Sequence, residues 1–174
     1  MTIITIKAAA NANGARLVLG WEEWIALPDL NLHAIKAKID TGAKTSALHA
    51  ETIEPYGPPS ARHVRFTIQP APRRPELVVT CSAPLVDQRA ITSSNGFTDE
   101  RYVVVTEIQI SGRRWPIEIS LSNRRDMTYR MLLGRQALQA GNVLIDPASA
   151  FVQPRLGYKT YPALSRRKPG RKPA

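Results

Sequence analysis

One short segment of the chain combines residue types that suit proton transfer to an amide. Asp40, Thr41, Gly42 and Ala43 follow the apolar stretch Ile35 to Ile39, which predicts a carboxylate on a tight turn at a strand end. Gly42 has no side chain and Ala43 has one methyl group, so a peptide backbone can approach the acid closely. A carboxylate in this position can act as a general acid or base. A turn of this kind can also be purely structural, so Asp40 is predicted to be catalytic only in combination with a second motif.

A second segment lies far downstream of this turn. Met131-Leu132-Leu133-Gly134-Arg135 has the form of a buried strand that ends at a glycine before a short helix. With these two motifs in this order, the chain resembles the retropepsin-like aspartic peptidases. Their Asp-Thr/Ser-Gly-Ala loop is followed late in the chain by an aliphatic-aliphatic-Gly-Arg segment that packs beneath it.

A closer resemblance is to the bacterial family named putative ATP-dependent zinc proteases. It covers about residues 20 to 153 and is carried by the segments Gly20 to Pro28, Ala37 to Ala50, Arg114 to Glu118 and Arg130 to Arg135. The resemblance implies an acid-protease barrel and an association with ATP-grasp ligases that add glutamates to a ribosomal protein. It therefore implies a peptidase that acts on oligoglutamate or similarly acidic tails.

The resemblance also assigns roles around Asp40. Thr41 would brace the paired loops, while Leu132, Leu133 and Gly134 would support the turn from below, and Arg135 would pair with a nearby acid. Aspartic peptidases need two carboxylates that share one proton. Because the chain has one Asp-Thr-Gly segment, the resemblance implies a symmetric homodimer. The alternative is a monomer whose second acid is Asp126 or Asp146.

Substrate contacts are predicted in three places. Thr41, Gly42 and Ala43 are expected to contact the substrate, and Gly42 and Ala43 would let its backbone run past the acids. The segment Thr92 to Phe97 is the candidate tip of a covering hairpin, the alternative being an ordinary surface hairpin, and its expected contact residues are Ser94, Asn95 and Gly96. Acidic side chains are expected to meet Lys44, Arg101 and Arg130. Large aromatic residues on strands most often fill a core, which is the role predicted for Trp21, Trp24 and Trp115.

The sequence favours neither of the cofactors in that family name. His33, His49 and His63 are isolated from one another and from any paired cysteines, so no zinc-ligand spacing is present. No glycine-rich loop leads into Lys-Ser or Lys-Thr to bind ATP phosphates. We therefore predict no cofactor and no metal ligands, and we interpret Cys81 as an inert buried thiol.

The fold is predicted to be all-β, as a retropepsin-like barrel with one or two short helices. Short β-branched runs are separated by turn signals, and seven prolines between residues 55 and 84 argue against a long helix there. Tyr102 to Ile110 and Trp115 to Leu121 are expected to form a long hairpin. Arg135 to Gln139, and in a weaker pattern Lys44 to Glu51, favour short helical pieces, and residues 55 to 62 and 69 to 76 favour loops.

The chain is predicted to have one domain, residues 19–158, between a flexible arm, residues 1–18, and a basic disordered tail, residues 159–174. With no long apolar run and no secretory leader at Met1, we expect a cytoplasmic protein without a membrane partner. A net charge of +10 favours anionic partners, including acidic protein substrates, ribosomes and RNA. The alternative to a peptidase is a non-catalytic barrel that binds a ribosome, RNA or a glutamate ligase.

Overall fold

The computed structural model describes residues 14–123 and 128–162. Within these residues the strands are β1 (Leu17–Leu19), β2 (Glu22–Leu27), β3 (Leu32–Asp40), β4 (Ser46–His49), β5 (Glu51–Tyr56), β6 (His63–Ile68), β7 (Val79–Thr92), β8 (Thr98–Ile110), β9 (Arg113–Ser122), β10 (Met131–Gly134) and β11 (Val143–Ile145). One α-helix, α1 (Arg135–Ala140), follows β10, and 3-10 turns lie at Pro28–Leu30 and Tyr158–Thr160. The all-β expectation is confirmed.

Nine strands form one sheet that closes on itself. Their order is β2-β3-β10-β4-β9-β8-β7-β6-β5, and Ala26 of β2 also pairs with Gln109 of β8. That last pairing closes the first six strands into a barrel and leaves β7, β6 and β5 as an extension. β10 runs parallel to β3 on one side and antiparallel to β4 on the other, so a late segment of the chain lies beside the strand that carries Asp40.

The predicted long hairpin is confirmed as β8 and β9. On β8, Thr106, Ile108 and Ile110 are buried while the residues between them are half-buried, as the alternation of a strand with one core face requires. Ser111 and Gly112 join the strands with φ angles of 50° and 77°. Two successive positive φ angles suit the right-handed twist of a two-residue hairpin turn.

Two local predictions need correction. The Lys44 to Glu51 segment is not helical, because Ser46–His49 forms β4, fully buried and paired with β10 and β9. Pairing on both sides overrides the local preference of these residues for a helix. The first predicted loop is shorter than expected, since β5 continues to Tyr56, whereas residues 69–76 lie outside any strand and α1 is present.

The described fold reaches into both segments that were predicted to lie outside the domain. β1 begins at Leu17 and pairs in parallel with β11, and at the other end Tyr161 is 5% exposed. The Tyr161 hydroxyl donates a hydrogen bond to the Ala34 carbonyl oxygen at 2.7 Å and anchors this end to β3. Residues 1–13 and 163–174 lie outside the described residues, including most of the predicted arm and the basic cluster from Arg166 to Lys172.

Glu23 is a buried carboxylate that fastens the segment after β11 to β2. It has no exposed surface, and its oxygens accept hydrogen bonds from the backbone amides of Gly20 and Val152 at 2.8 Å and Gln153 at 3.2 Å. A buried carboxylate is tolerated when donors replace its lost hydration. Here three backbone amides do so.

We expect Glu23→Ala to lower the free energy of unfolding by about 3 kcal/mol, because it leaves buried amides without acceptors. Urea titration of the variant beside Glu54→Ala, an exposed acid on β5, measures the difference. Equal stability of the two variants would contradict a structural role for the Glu23 carboxylate.

Candidate active site

Asp40 is the last residue of β3 and begins the turn that leads to β4. Its Oδ1 atom accepts hydrogen bonds from the backbone amides of Gly42 and Ala43, each at 3.1 Å. Asp40 is half-buried, and Thr41 and Gly42 are exposed, so the turn is open to solvent. Within the described residues Oδ2 has no hydrogen-bond donor. The turn therefore fixes one carboxyl oxygen and leaves the other for a water or a second acid.

β10 lies beside this turn and places residues 132–134 next to the end of β3. Leu133 pairs with Ile39 and Gly134 with Asp40, and Leu133 and Gly134 are buried whereas Leu132 is half-buried. The Gly134 amide donates a hydrogen bond to Ser46 Oγ at 3.0 Å. A Cβ atom at position 134 would lie 2.6 Å from the Thr45 carbonyl carbon. Glycine is required here because the backbones of β10 and the Asp40 turn are in contact.

The first residues of α1 hold the far side of the turn. The amides of Arg135 and Gln136 donate hydrogen bonds to the carbonyl oxygens of Ala43 and Lys44, at 2.8 and 3.1 Å. The Arg135 guanidinium donates to the Thr41 carbonyl oxygen at 2.8 Å. Arg135 thus contacts the turn through a backbone oxygen and not through the acid that we expected.

The candidate covering hairpin is formed by β7 and β8. Its tip is closed by a hydrogen bond from the Ser93 amide to the Phe97 carbonyl oxygen at 2.8 Å, and Gly96 has a φ of 80°. Ser94, Asn95 and Gly96 lie exposed in this turn, and the Phe97 side chain is 69% exposed. The hairpin is present, and its role as a flap over Asp40 stays a prediction.

A cavity of about 730 Å³ opens beside β2 and β3. Its charged lining residues are Glu22, Lys36, Arg73, Arg74, Arg130 and Arg155. Trp24, Tyr129, Tyr158 and the loop Pro70–Pro72 complete most of the wall. Asp40 is not among the lining residues. We refer to this feature as the basic cavity.

The basic residues predicted for substrate binding do not lie together. Arg130 lines the basic cavity, whereas Arg101 is 6% exposed on β8 and donates a hydrogen bond to Asp99 at 2.9 Å. Lys44 is exposed in the Asp40 turn. A buried arginine already paired with an acid is poorly placed to meet a substrate carboxylate, so Arg130 and Lys44 are the stronger candidates.

The three tryptophans differ in their environments. Trp115 is 1% exposed in the core, as predicted, and its indole nitrogen donates a hydrogen bond to the Ala137 carbonyl oxygen at 3.0 Å. Trp24 is 5% exposed but also lines the basic cavity. Trp21 is 40% exposed, which corrects its assignment to the core. Its ring stands edge-on to Tyr129 at a centroid distance of 6.3 Å.

The carboxylate of Asp146 is hydrogen-bonded within its own turn. Its carboxylate accepts hydrogen bonds from the Ser149 hydroxyl at 2.6 Å and the Ala148 amide at 3.0 Å, and these bonds, the Ser149 bond first, lower the pKa of Asp146 below its usual value. An acid whose oxygens are both engaged is poorly suited to sharing a proton with Asp40. Asp126, the other alternative, lies outside the described residues.

The histidines lie on different strands. His33 packs against Tyr161 with its ring tilted, His63 contacts the Ala61 carbonyl oxygen, and His49 lies 3.7 Å from Glu51. Burial, followed by the nearby Arg130 charge, lowers the pKa of His49 below its usual value. Over residues 14–123 and 128–162, no three histidine, cysteine or acidic residues lie together as metal ligands would.

Sequence reasoning missed most of the basic cavity. The adjacent pair Arg73-Arg74 in a proline-rich loop was a local signal of positive charge, but it was not interpreted as part of a site. Lys36, Arg130 and Arg155 are far apart in sequence, and the barrel brings them to one wall. Without the strand order, no spacing rule would have joined them.

A closed β-barrel with an Asp-Thr-Gly-Ala turn braced by a Leu-Leu-Gly strand has the arrangement of the retropepsin-like class. A family model described as "Retropepsin-like aspartic endopeptidase RimB" matches residues 18–156. The chain belongs to this RimB-like family, and the retropepsin-like fold is confirmed. The description names an aspartic endopeptidase and mentions neither ATP nor zinc. The family name "putative ATP-dependent zinc protease" is therefore not supported.

Similar proteins come from several bacteria. Proteins named "Probable alpha-L-glutamate ligase" from Shewanella pealeana and Parasynechococcus marenigrum are 41% and 42% identical over 136 and 132 residues. These alignments cover 78% and 76% of this chain but only 30% and 28% of the relatives. A Legionella pneumophila crystal structure of a protein with unknown function is 30% identical, with a TM-score of 0.67, and the match covers 79% of this chain and 98% of that one.

We expect Gly134→Ala to lower the free energy of unfolding by about 2 kcal/mol, because the added methyl group overlaps backbone that cannot move aside independently. Gly157→Ala is the matched control, since a Cβ atom there meets nothing within 4 Å. Thermal and urea unfolding of both variants test the close contact. A Gly134→Ala protein as stable as the control would contradict it.

Proposed function

We propose that this chain is an aspartic peptidase that hydrolyses acidic peptide tails with a water activated at Asp40. The observation that carries the proposal is the braced turn, in which Gly42 and Ala43 fix Oδ1 of an accessible carboxyl group. A fixed acid is a prerequisite for proton transfer in a defined direction. Membership in a family described as aspartic endopeptidases supports the same chemistry.

The second acid in this proposal is Asp40 of a second copy of the chain. One carboxylate takes a proton from water as the water oxygen attacks the scissile carbonyl carbon, and the other, protonated, donates a hydrogen bond to the carbonyl oxygen. When the tetrahedral intermediate collapses, the carbon–nitrogen bond breaks and the leaving amine receives the proton that the first carboxylate took from water. Two carboxylates facing each other across a two-fold axis supply both roles.

An acidic substrate is supported by two observations. The chain carries a net charge of +10, and its basic cavity presents five cationic side chains against one carboxylate. Relatives named glutamate ligases contain a segment like this chain within a longer protein. A ligase of glutamate would supply a product rich in carboxylates. We propose that a glutamate-extended tail of a ribosomal protein in the cytoplasm is the substrate, with the ligase as a partner.

A non-catalytic binding module is the competing function. It is favoured by one observation, namely that Asp40 does not line the basic cavity. Such a module would bind acidic tails, RNA or the ligase in a salt-sensitive manner and would cleave nothing.

The described residues contain no helix long and apolar enough to cross a membrane.

We expect Asp40→Asn to reduce kcat/KM for a glutamate-extended peptide on the order of a thousandfold, because the amide cannot take the proton from water. Asp29→Asn, at an exposed acid in the 3-10 turn, should cleave like the wild type. Mass spectrometry of the products, with and without a chelator, provides the readout. Equal cleavage by Asp40→Asn would contradict the proposal, and loss of cleavage with chelator would indicate a metal.

Mixing the wild type with excess Asp40→Asn protein tests the shared site. If each site needs Asp40 from two chains, exchange into mixed dimers should suppress activity per wild-type chain, and sedimentation should show a dimer at assay concentration. Adding the same excess of Asp29→Asn protein is the control. Activity that is unaffected by the Asp40→Asn chain would show that one chain carries a complete site.

A further inference from the structure

The basic cavity carries more positive charge than its neighbours neutralise. Arg74 is paired with Glu76 at 3.0 Å, and the one acid in the wall, Glu22, accepts a hydrogen bond from the Tyr129 hydroxyl at 2.5 Å. Within the part of the chain that the structure describes, no carboxylate pairs with Lys36, Arg73 or Arg155. These cations are available to an anionic ligand.

Arg130 gives the cavity a partly buried donor. Its Nη2 atom donates a long hydrogen bond of 3.3 Å to Gln69, and its Nε atom is buried with no hydrogen-bond partner among the described residues. A buried guanidinium nitrogen without an acceptor is costly in the free protein. An anion in the cavity would supply acceptors to this guanidinium.

The strand β3 links the cavity to Asp40. Ile35, Ala37 and Ile39 are buried in the core, so the alternate residues Lys36 and Asp40 lie on the other face of the strand. Lys36 lines the cavity and precedes Asp40 by four residues, which corresponds to about 13 Å along a strand. An extended peptide covers that distance with about four residues.

The packing of Trp24 in the wall favours peptide carboxylates over nucleic acid bases. Trp24 is packed edge-on against Tyr158 at 5.0 Å, and the Lys36 ammonium lies 5.3 Å from its ring centroid. Phe151 packs against Trp24 at a distance of 6.3 Å between ring centroids. Proteins that bind single-stranded nucleic acid offer open aromatic faces on which bases stack. Trp24, at 5% exposed, has no open face of this kind.

We propose that the basic cavity is a specificity subsite that binds a substrate carboxylate side chain about four residues from the scissile bond. This inference rests on the proposed peptidase function and adds the place where acidity is recognised. Arg73 and Arg155, both exposed, receive the carboxylate at the rim, and Arg130 and Lys36 meet it deeper in the cavity. The apolar wall at Pro70, Ala71 and Pro72 contacts the methylene groups of the side chain.

The test replaces one glutamate at a time by glutamine along an acidic peptide, on both sides of the scissile bond. For the wild type, kcat/KM should fall about tenfold when the replaced glutamate is the fourth residue from the scissile bond on one side. This is the effect expected when one charge-assisted contact is lost. In the double variant Arg73→Gln/Arg155→Gln this positional dependence should disappear. The control variant Arg16→Gln/Arg62→Gln loses the same charge from exposed residues outside the cavity. It should retain the positional dependence of kcat/KM. A profile in the cavity variant identical to that of the wild type would overturn the subsite.

A binding measurement separates this inference from the peptidase proposal. Asp40→Asn protein should bind an oligoglutamate peptide, and not its oligoglutamine counterpart, with a change in tryptophan fluorescence that the added Arg73→Gln/Arg155→Gln pair abolishes. If that result holds while the wild type cleaves nothing, the peptidase proposal fails and the carboxylate site stands. If an oligoribonucleotide binds through these arginines and the oligoglutamate peptide does not, the carboxylate assignment is overturned.

Discussion

The backbone contact between β10 and the Asp40 turn is the constraint on which the site depends. The turn exposes carbonyl oxygens at Thr41, Ala43 and Lys44, and each receives a donor from Arg135 or Gln136. Each of these hydrogen bonds contributes only about 1 kcal/mol net. Their larger effect is orientation, because a turn held at both ends presents its carboxyl group in one position. No further conformational entropy of the turn is then lost when a substrate binds.

The strand order of the barrel brings β10 into contact with the Asp40 turn. β3 and β10 are separated by most of the domain sequence, and their parallel pairing requires the chain to cross over through β4 to β9. β10 then fits between β3 and β4 because Gly134 has no side chain where it passes Thr45. The Ser46 hydroxyl of β4 accepts a hydrogen bond from the Gly134 amide, which joins the third strand to the same junction. The active turn is thus a product of the whole closed sheet.

Much of the site could be predicted from local sequence, because its parts are local. A strand that ends in Asp-Thr-Gly-Ala and a second that ends in Leu-Leu-Gly each specify their own backbone, and the long β8–β9 hairpin follows from alternation and a glycine turn. The partner of Arg135 could not be predicted, since any exposed carbonyl or carboxylate would satisfy a guanidinium. The segment Ser46–His49 was misassigned because its conformation comes from strands on both sides and not from its own residues.

The position of the basic cavity also addresses an electrostatic difficulty of the proposed reaction. A peptide rich in carboxylates would be repelled by the acids that must cleave it, and two unit charges 4 Å apart repel by about 4 kcal/mol near a protein surface. Lys36, about 13 Å from Asp40 along β3, lies beyond a Debye length of about 8 Å in open solvent, where its charge would be largely screened. Partial burial of Lys36 and Arg130 reduces this screening. In the proposed reaction, the favourable free energy of binding distant carboxylates would offset the repulsion near Asp40, and recognition and chemistry would use different parts of one strand face.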